Sequence, residues 1–208
     1  MTIISDVDGV LASFECAWEP LLAKLAGESK LPAGWKDDPN FPDIWDWDKR
    51  AYGPDLVRQA WKEAHTDPKF WLKLDAIPGA AEAAKVLNTL QRKHPVFFLT
   101  QRSGIGAQRQ TCEWLYGIGV NYPNVIVVHD ADDKIAILNA LRARFFVDDK
   151  LSTMEGWYNY CYMNGIKTVK PHHFFLIDQP WNQDGRTIKG LRVAANITEA
   201  LKEAGLWQ

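Results

Sequence analysis

The fold is decided by residues 2–11, TIISDVDGVL, at the start of the chain. The β-branched apolar run predicts a buried strand, and Gly9 predicts a turn where that strand ends. Asp6 and Asp8 therefore lie where a core strand opens into a loop. No Lys or Arg stands beside this pair in the sequence. Because a buried carboxylate needs a hydrogen bond, a proton or a cation, a divalent cation such as Mg²⁺ is the simplest partner.

Two acids at alternate positions also suggest two chemical roles. An Asp6 that faces the cation would be ionised and nucleophilic. Asp8, held away from the cation, could carry a proton to a leaving oxygen. Taken alone, Asp-x-Asp-Gly is more often an ordinary turn, so the rest of the chain must decide between the two interpretations.

Length and composition narrow the class of protein. The 208 residues suffice for one large domain, or for one domain with an insertion. The formal net charge of −2 offers no basic surface for duplex nucleic acid or for a membrane. Binding of a small anionic substrate is compatible with this charge. No apolar run approaches membrane-spanning length, no leader precedes the first strand, and the three cysteines are widely spaced. We therefore expect a soluble, cytoplasmic protein.

Tryptophan is unevenly distributed along the chain. Of ten tryptophans, five fall within one segment: Trp35, Trp45, Trp47, Trp61 and Trp71. This shift in composition predicts a helical, Trp-rich cap over residues 14–76. Residues 1–13 and 77–208 would then form the core domain.

From Pro78 onward, helical and strand patterns alternate. Apolar strands are predicted at residues 95–100, 125–128, 145–149 and 174–178, with amphipathic helices near 79–93, 104–117 and 132–143. Such a pattern implies a parallel sheet covered on both faces, and its ligands bind beyond the carboxyl ends of the strands. Polar side chains do follow the predicted strands, at Asp6, Asp8, Thr100, His129, Asp130, Asp148, Asp149 and Asp178.

Four motifs occur in a fixed order. Asp-x-Asp-x-Val is followed by an apolar run that ends in Leu-Thr at Thr100, then by Lys134, and then by Val-Asp-Asp ending at Asp149. In this order, and over nearly the whole chain, they resemble the haloacid dehalogenase-like (HAD) phosphohydrolases. The resemblance implies an α/β fold with a Rossmann-like three-layer α/β/α core. It also implies a parallel sheet of strand order 3-2-1-4-5 and a small helical cap inserted after the first strand.

The resemblance also implies roles for these residues. Asp6 would attack phosphorus to give an aspartyl-phosphate, and Asp8 would protonate the leaving alcohol and then activate water. Thr100 and Lys134 would hold the phosphoryl oxygens.

A magnesium site completes the implied constellation. Mg²⁺ would be bound by Asp6, by the backbone carbonyl of Asp8 and by the pair Asp148 and Asp149. Either member of the pair could contact the metal directly, while the other orients Lys134 or a metal-bound water.

A narrower similarity concerns the 5'(3')-deoxyribonucleotidase group. Residues 6–15, DVDGVLASFE, and residues 178–182, DQPWN, are similar to its motifs. In that group, aromatic side chains of the cap enclose the base, and each such side chain here could equally belong to the cap core. The candidates are Phe14, Trp45, Trp47, Phe70 and Trp71. Gln101 and Arg102 stand where the group usually has a small residue and then Pro, and they are candidates for contacting the phosphate or the sugar.

We therefore expect a Mg²⁺-dependent phosphomonoesterase that acts on (deoxy)nucleoside monophosphates. The alternatives are a phosphatase for a sugar phosphate or a nucleic-acid 3'-phosphate, and a non-catalytic protein that binds a phosphorylated ligand. The expected partner is a small phosphorylated molecule. The sequence is compatible with either a monomer or a homodimer.

Overall fold

The computed structural model describes residues 1–35, 38, 46–166, 173–182 and 191–207. Its strands are β1 (Thr2–Ser5), β2 (Ala12–Ser13), β3 (Asp75–Ala76), β4 (Val96–Gln101), β5 (Val125–Val128), β6 (Ala143–Asp148), β7 (Phe174–Ile177) and β8 (Arg192–Ala194). Its α-helices are α1 (Glu15–Ala26), α2 (Trp47–Tyr52), α3 (Pro54–Thr66), α4 (Ala80–Gln91), α5 (Ala107–Gly117), α6 (Ala131–Ala140), α7 (Leu151–Met163) and α8 (Ile197–Glu203). None of the described helices combines the length and apolar character needed to cross a membrane.

Six strands form one parallel sheet in the order β5-β4-β1-β6-β7-β8. When these six are numbered along the chain, the order is 3-2-1-4-5-6. The predicted order 3-2-1-4-5 is therefore confirmed, and β8 extends it by one edge strand. The first strand lies at the centre, between β4 and β6, so the loop that follows it opens in the middle of the sheet.

Helices cover both faces of the sheet, as predicted for a Rossmann-like α/β core. Side chains alternate between the two faces of a strand, so neighbouring residues of β1 enter different hydrophobic clusters. Ile3 packs with Phe145 and Phe175 on one face, whereas Ile4 packs with Phe146 on the other. Because both faces are buried, the acids that follow this central strand emerge at its carboxyl end.

Three of the described α-helices lie outside this layered core. Helices α1, α2 and α3 fall between β2 and β3, and these two short strands pair antiparallel through Ala12 with Ala76 and Ser13 with Asp75. The chain thus leaves the core after the first strand and returns beside its point of departure. This is the position expected for an inserted cap, and the division at residues 14–76 stays a prediction.

Candidate active site

The carboxyl ends of three neighbouring strands bring the predicted catalytic residues together. Asp6 follows β1, Thr100 lies near the end of β4 and Asp148 ends β6. Asp6 and Thr100 line a pocket of about 380 Å³ at this edge of the sheet, whereas Asp148 is fully buried. The predicted site residues that line the pocket are Asp6, Asp8, Phe14, Trp71, Thr100, Gln101, Arg102, Lys134 and Asp149.

Lys134, on the first turns of α6, is buried between two of the predicted acids. Its Nζ donates to Asp6 Oδ2 at 2.5 Å and to Asp148 Oδ2 at 2.9 Å. Burial alone would lower the pKa of Lys134, but the charges of Asp148 and Asp6 outweigh it and raise that pKa above its ordinary value. The side chain is therefore held as an ammonium at the floor of the pocket.

Three buried carboxylates form a cluster around this lysine. One oxygen from each of Asp6, Asp148 and Asp149 lies within 4.8 Å of the others. Burial raises the pKa of Asp6 to about 7, although Lys134 opposes the shift. Burial, with the charge of Asp148, raises the pKa of Asp149 well above its usual range. Three carboxyl groups beside one ammonium form an oxygen-only donor set that fits Mg²⁺, and a bound cation would favour their ionised forms.

The two members of the Asp148–Asp149 pair have different surroundings. Asp148 is fully buried, and its Oδ1 accepts a hydrogen bond from the backbone N–H of Lys150 at 2.8 Å. Asp149 lines the pocket, and its Oδ2 accepts from Trp181 Nε1 at 3.1 Å. Asp149 thus presents its carboxylate to the pocket, whereas both oxygens of Asp148 have protein donors.

A loop after β7 supports this acidic cluster. Asn182 Nδ2 donates to the backbone carbonyl of Asp149 at 2.8 Å, and Gln179 Nε2 donates to the backbone carbonyl of Gly9 at 2.7 Å. Together with Trp181, these side chains tie the loop after β1 to the end of β6. From the sequence, this DQPWN segment was identified only by its similarity to a motif of a known group. The supporting roles of its side chains were missed because their partners lie more than 30 residues away.

Asp8 lies in a different environment from Asp6. Arg102 donates to it twice, from Nε to Oδ2 at 2.9 Å and from Nη2 to Oδ1 at 2.7 Å. Thr100 Oγ1 donates to Asp8 Oδ2 at 3.1 Å. The two acids of the first motif are therefore separated in the structure: one carboxylate joins the acidic cluster and the other faces a guanidinium.

The aromatic candidates divide between the pocket wall and the packed interior. Phe14 lines the pocket and stacks on Trp61 and Trp71, with ring centroids 5.6 and 6.1 Å apart. Phe70 and Trp71 are each 2% exposed and Trp47 is 7% exposed. Of these three, only Trp71 lies in the described wall of this pocket. Trp45 lies outside the described residues. Two of the five candidates thus line the pocket, together with Trp61, which the sequence did not single out as a ligand contact.

Gln101 stands at the rim. It is exposed, it lines the pocket, and its Nε2 donates to the backbone carbonyl of His129 at 2.9 Å. This contact joins the ends of β4 and β5, so the side chain borders the pocket from the side of the sheet opposite β6.

Glu15 is a pocket residue that sequence reasoning missed. It lines the pocket at the first turn of α1, where Ser13 Oγ donates to its Oε2 at 3.4 Å. Burial raises the pKa of Glu15 to about 7, and the charge of Asp8 adds to the shift. The signal that could have found it is an acid at a helix start, nine positions after Asp6 and directly after Phe14.

Helix α3 also meets the pocket, through His65. Its Nε2 lies 2.5 Å from Ser103 Oγ, and both residues line the pocket. Ile105 N–H donates to the His65 carbonyl at 2.8 Å, and a Cβ on Gly104 would lie 2.5 Å from His65 Cα. Gly104 therefore allows the loop after β4 to touch the end of α3.

Comparison with known proteins identifies the proteins whose fold this chain shares. No family model matches the chain. No curated protein matches it either.

Solved structures, by contrast, match over nearly the whole chain. A protein from Thermotoga maritima assigned as a β-phosphoglucomutase has a TM-score of 0.58 and 15% identity, with 98% of each chain covered. A protein from Lactobacillus plantarum assigned as a phosphoglycolate phosphatase has a TM-score of 0.56 and 13% identity, covering 99% of this chain and 98% of that one. A HAD-superfamily hydrolase of subfamily IA from Geobacter sulfurreducens has a TM-score of 0.56 and 13% identity, covering 99% and 96%. The chain therefore shares the fold of the haloacid dehalogenase-like hydrolases.

Proposed function

We propose that this protein is a Mg²⁺-dependent phosphomonoesterase. The observation that carries the proposal is the placement of Lys134 between Asp6 and Asp148 at the carboxyl edge of a parallel sheet. Phosphoryl transfer spreads negative charge over the equatorial oxygens, so it needs a positioned nucleophile beside cations and hydrogen-bond donors. The fold shared with HAD hydrolases and phosphatases supports the same chemistry.

In the first half of the reaction, an oxygen of Asp6 attacks phosphorus. The bond from phosphorus to the leaving oxygen breaks, and the carboxyl group of Asp8 gives its proton to that oxygen. Lys134, with the hydroxyl of Thr100, holds the phosphoryl oxygens. In the second half, Asp8 takes a proton from water, the water oxygen attacks phosphorus, and Asp6 is released with inorganic phosphate.

The metal would be held by Asp6, Asp149 and Asp148, with the backbone carbonyl of Asp8 as a further ligand. When bound, Mg²⁺ would neutralise charge on the carboxylates and on the phosphoryl group.

For the substrate we propose a nucleoside monophosphate, on the support of the aromatic wall formed by Phe14, Trp61 and Trp71. A base stacked on one aromatic ring gains about 1–3 kcal/mol. A sugar phosphate is the second candidate, because a protein assigned as a β-phosphoglucomutase has the same fold.

The test is turnover of p-nitrophenyl phosphate with Mg²⁺ and after chelation. Asp6→Asn should abolish turnover, whereas Asp55→Asn, on an exposed acid of α3, should not change it. A panel of nucleoside monophosphates and sugar phosphates, ranked by kcat/KM, then identifies the substrate class. Turnover that survives both chelation and Asp6→Asn would contradict the mechanism, and a panel without preference for nucleotides would contradict the substrate.

A further inference from the structure

Arg102 is a buried arginine that faces the second catalytic acid. It is 1% exposed, and it makes a two-atom contact with the carboxylate of Asp8 through Nε and Nη2. Paired, charge-assisted hydrogen bonds of this kind fix the orientation of a carboxylate as well as its charge. The plane of the Asp8 carboxyl group is therefore set by Arg102.

Arg102 is itself held from two further sides. Its Nη1 donates to Thr111 Oγ1 on α5 at 2.8 Å, and its guanidinium lies 4.8 Å from the ring centroid of Trp71. Trp71 in turn donates from Nε1 to the carbonyl of Ser103 at 3.0 Å, so the ring that covers the guanidinium is also fixed. A guanidinium with these partners has no freedom to swing toward a phosphate without giving up buried contacts.

The hydrogen bonds leave one oxygen of Asp8 available for chemistry. Oδ2 accepts from both Arg102 and Thr100, whereas Oδ1 accepts from Arg102 alone among the described residues. Each carboxyl oxygen has two lone-pair positions, so Oδ1 keeps one for a proton. Oδ1 is therefore the Asp8 oxygen with a lone pair that the described residues leave unused, on a side chain that lines the pocket.

We propose that Arg102 is a positioning residue, which holds Asp8 so that Oδ1 faces the leaving oxygen, and that it does not bind the phosphoryl group. The inference rests on the proposed function, since it assumes that Asp8 is the proton donor. Arg102 then acts through Asp8 on two steps: the proton transfer to the leaving oxygen as the phosphorus–oxygen bond breaks, and the removal of a proton from water in the second half.

Two substrates of similar shape separate this role from phosphate binding. Nitrophenolate leaves with little help from an acid, whereas phenolate is more basic and depends more on protonation. The ratio kcat/KM reports the steps through formation of the aspartyl-phosphate, so it contains the departure of the leaving group. A defect in protonation should therefore lower kcat/KM for phenyl phosphate and leave kcat/KM for p-nitrophenyl phosphate nearly unchanged.

The experiment is to measure kcat and KM of Arg102→Met with both substrates. We expect kcat/KM for phenyl phosphate to fall about 30- to 100-fold, since positioned acid catalysis contributes about 10²–10⁴-fold. For p-nitrophenyl phosphate we expect kcat/KM to fall by less than about threefold. An equal rise of KM for both would assign Arg102 to phosphate binding and would overturn the proposal, as would an equal fall of kcat/KM for both.

Three further variants complete the test. Arg102→Lys keeps the charge but cannot make the two-atom contact, so the selective loss should persist; full recovery would mean that charge alone matters and would contradict the positioning role. Arg109→Met removes an exposed arginine of α5, paired with Glu113, and should leave both substrates unaffected.

Thr111→Val covers the case in which Arg102→Met does not fold. It removes only the hydroxyl that accepts from Nη1, and it should cause a smaller selective loss, about three- to tenfold for phenyl phosphate. An unselective loss would again overturn the proposal. A wild-type protein that hydrolyses neither substrate with Mg²⁺ would instead refute the proposed function itself.

Discussion

Gly9 lies so close to Asp149 that a Cβ on Gly9 would come within 2.1 Å of Asp149 Oδ2. The backbone of Gly9 is also in the left-handed region, with φ of 70°. Glycine is thus required in the turn after the first strand for two reasons: its backbone is left-handed, and an acid that follows β6 approaches it closely.

Gly9→Ala should damage the acidic cluster. The added methyl group would displace the carboxylate of Asp149, so we expect Mg²⁺ affinity to fall at least about tenfold, in the range seen when groups that orient a metal ligand are lost. Gly27→Ala is the matched control, because Gly27 has φ of 83° and open space around it. The control should lose only about 1 kcal/mol of folding stability, because alanine is disfavoured at positive φ. Calorimetric titration with Mg²⁺ measures the difference, and equal affinities in the two variants would contradict the steric account.

Mg²⁺ should stabilise the folded protein. A cation that binds only the folded state raises the free energy of unfolding, by about 2.7 kcal/mol at 100 times its Kd. The measurement is the urea midpoint with Mg²⁺ and after chelation. Asp149→Asn should remove most of this stabilisation, whereas Asp55→Asn should keep it. An unchanged midpoint for the wild type would show that the cluster does not bind the metal.

Lys134→Met should destabilise the metal-free protein. Removing one partner of a buried ion pair leaves uncompensated charge and costs about 3–5 kcal/mol. Asp6 and Asp148 would then repel each other, so Mg²⁺ should restore part of the loss. Lys62→Met, on an exposed position of α3, is the control and should have little effect. Urea unfolding of both variants, with and without Mg²⁺, tests the expectation; a metal-free Lys134→Met protein of wild-type stability would contradict it.

Glu15→Gln should change how stability depends on pH. Burial raises the pKa of Glu15 from 4.5 to about 7 in the folded state. A carboxyl group with a raised folded pKa favours folding at low pH, and this contribution is lost as pH rises through about 7. The neutral amide avoids that loss. The free energy of unfolding of the variant should therefore rise relative to wild type by about 1–3 kcal/mol between pH 4.5 and 7, and it should rise no further above pH 7. Urea unfolding at pH 4.5, 6 and 8 gives the profile, and a constant difference would rule out Glu15 as its source.

Much of the fold followed from local pattern. Continuous apolar runs predicted the core strands, and period-3.6 apolar patterns predicted the helices, to within a few residues. Burial on both faces of a parallel sheet demands continuous apolar strands. The predicted helix at 132–143 was too long at its end: α6 stops at Ala140, and β6 begins at Ala143. Short apolar runs at such a junction fit either element, and pairing with β1 decided in favour of the strand.

The sequence by itself determined that Asp6, Thr100 and Asp148 would meet, since each stands at or just after a strand end and the carboxyl ends of parallel strands share one edge of the sheet. Lys134 stands in the first turns of the helix after β5, and the resemblance assigned it to the same site. Only the tertiary structure decided how their charges are paired. Arg102 is separated from Asp8 by 94 positions, and Trp181 from Asp149 by 32. Side-chain direction across such separations is set by packing, and no local periodicity encodes it.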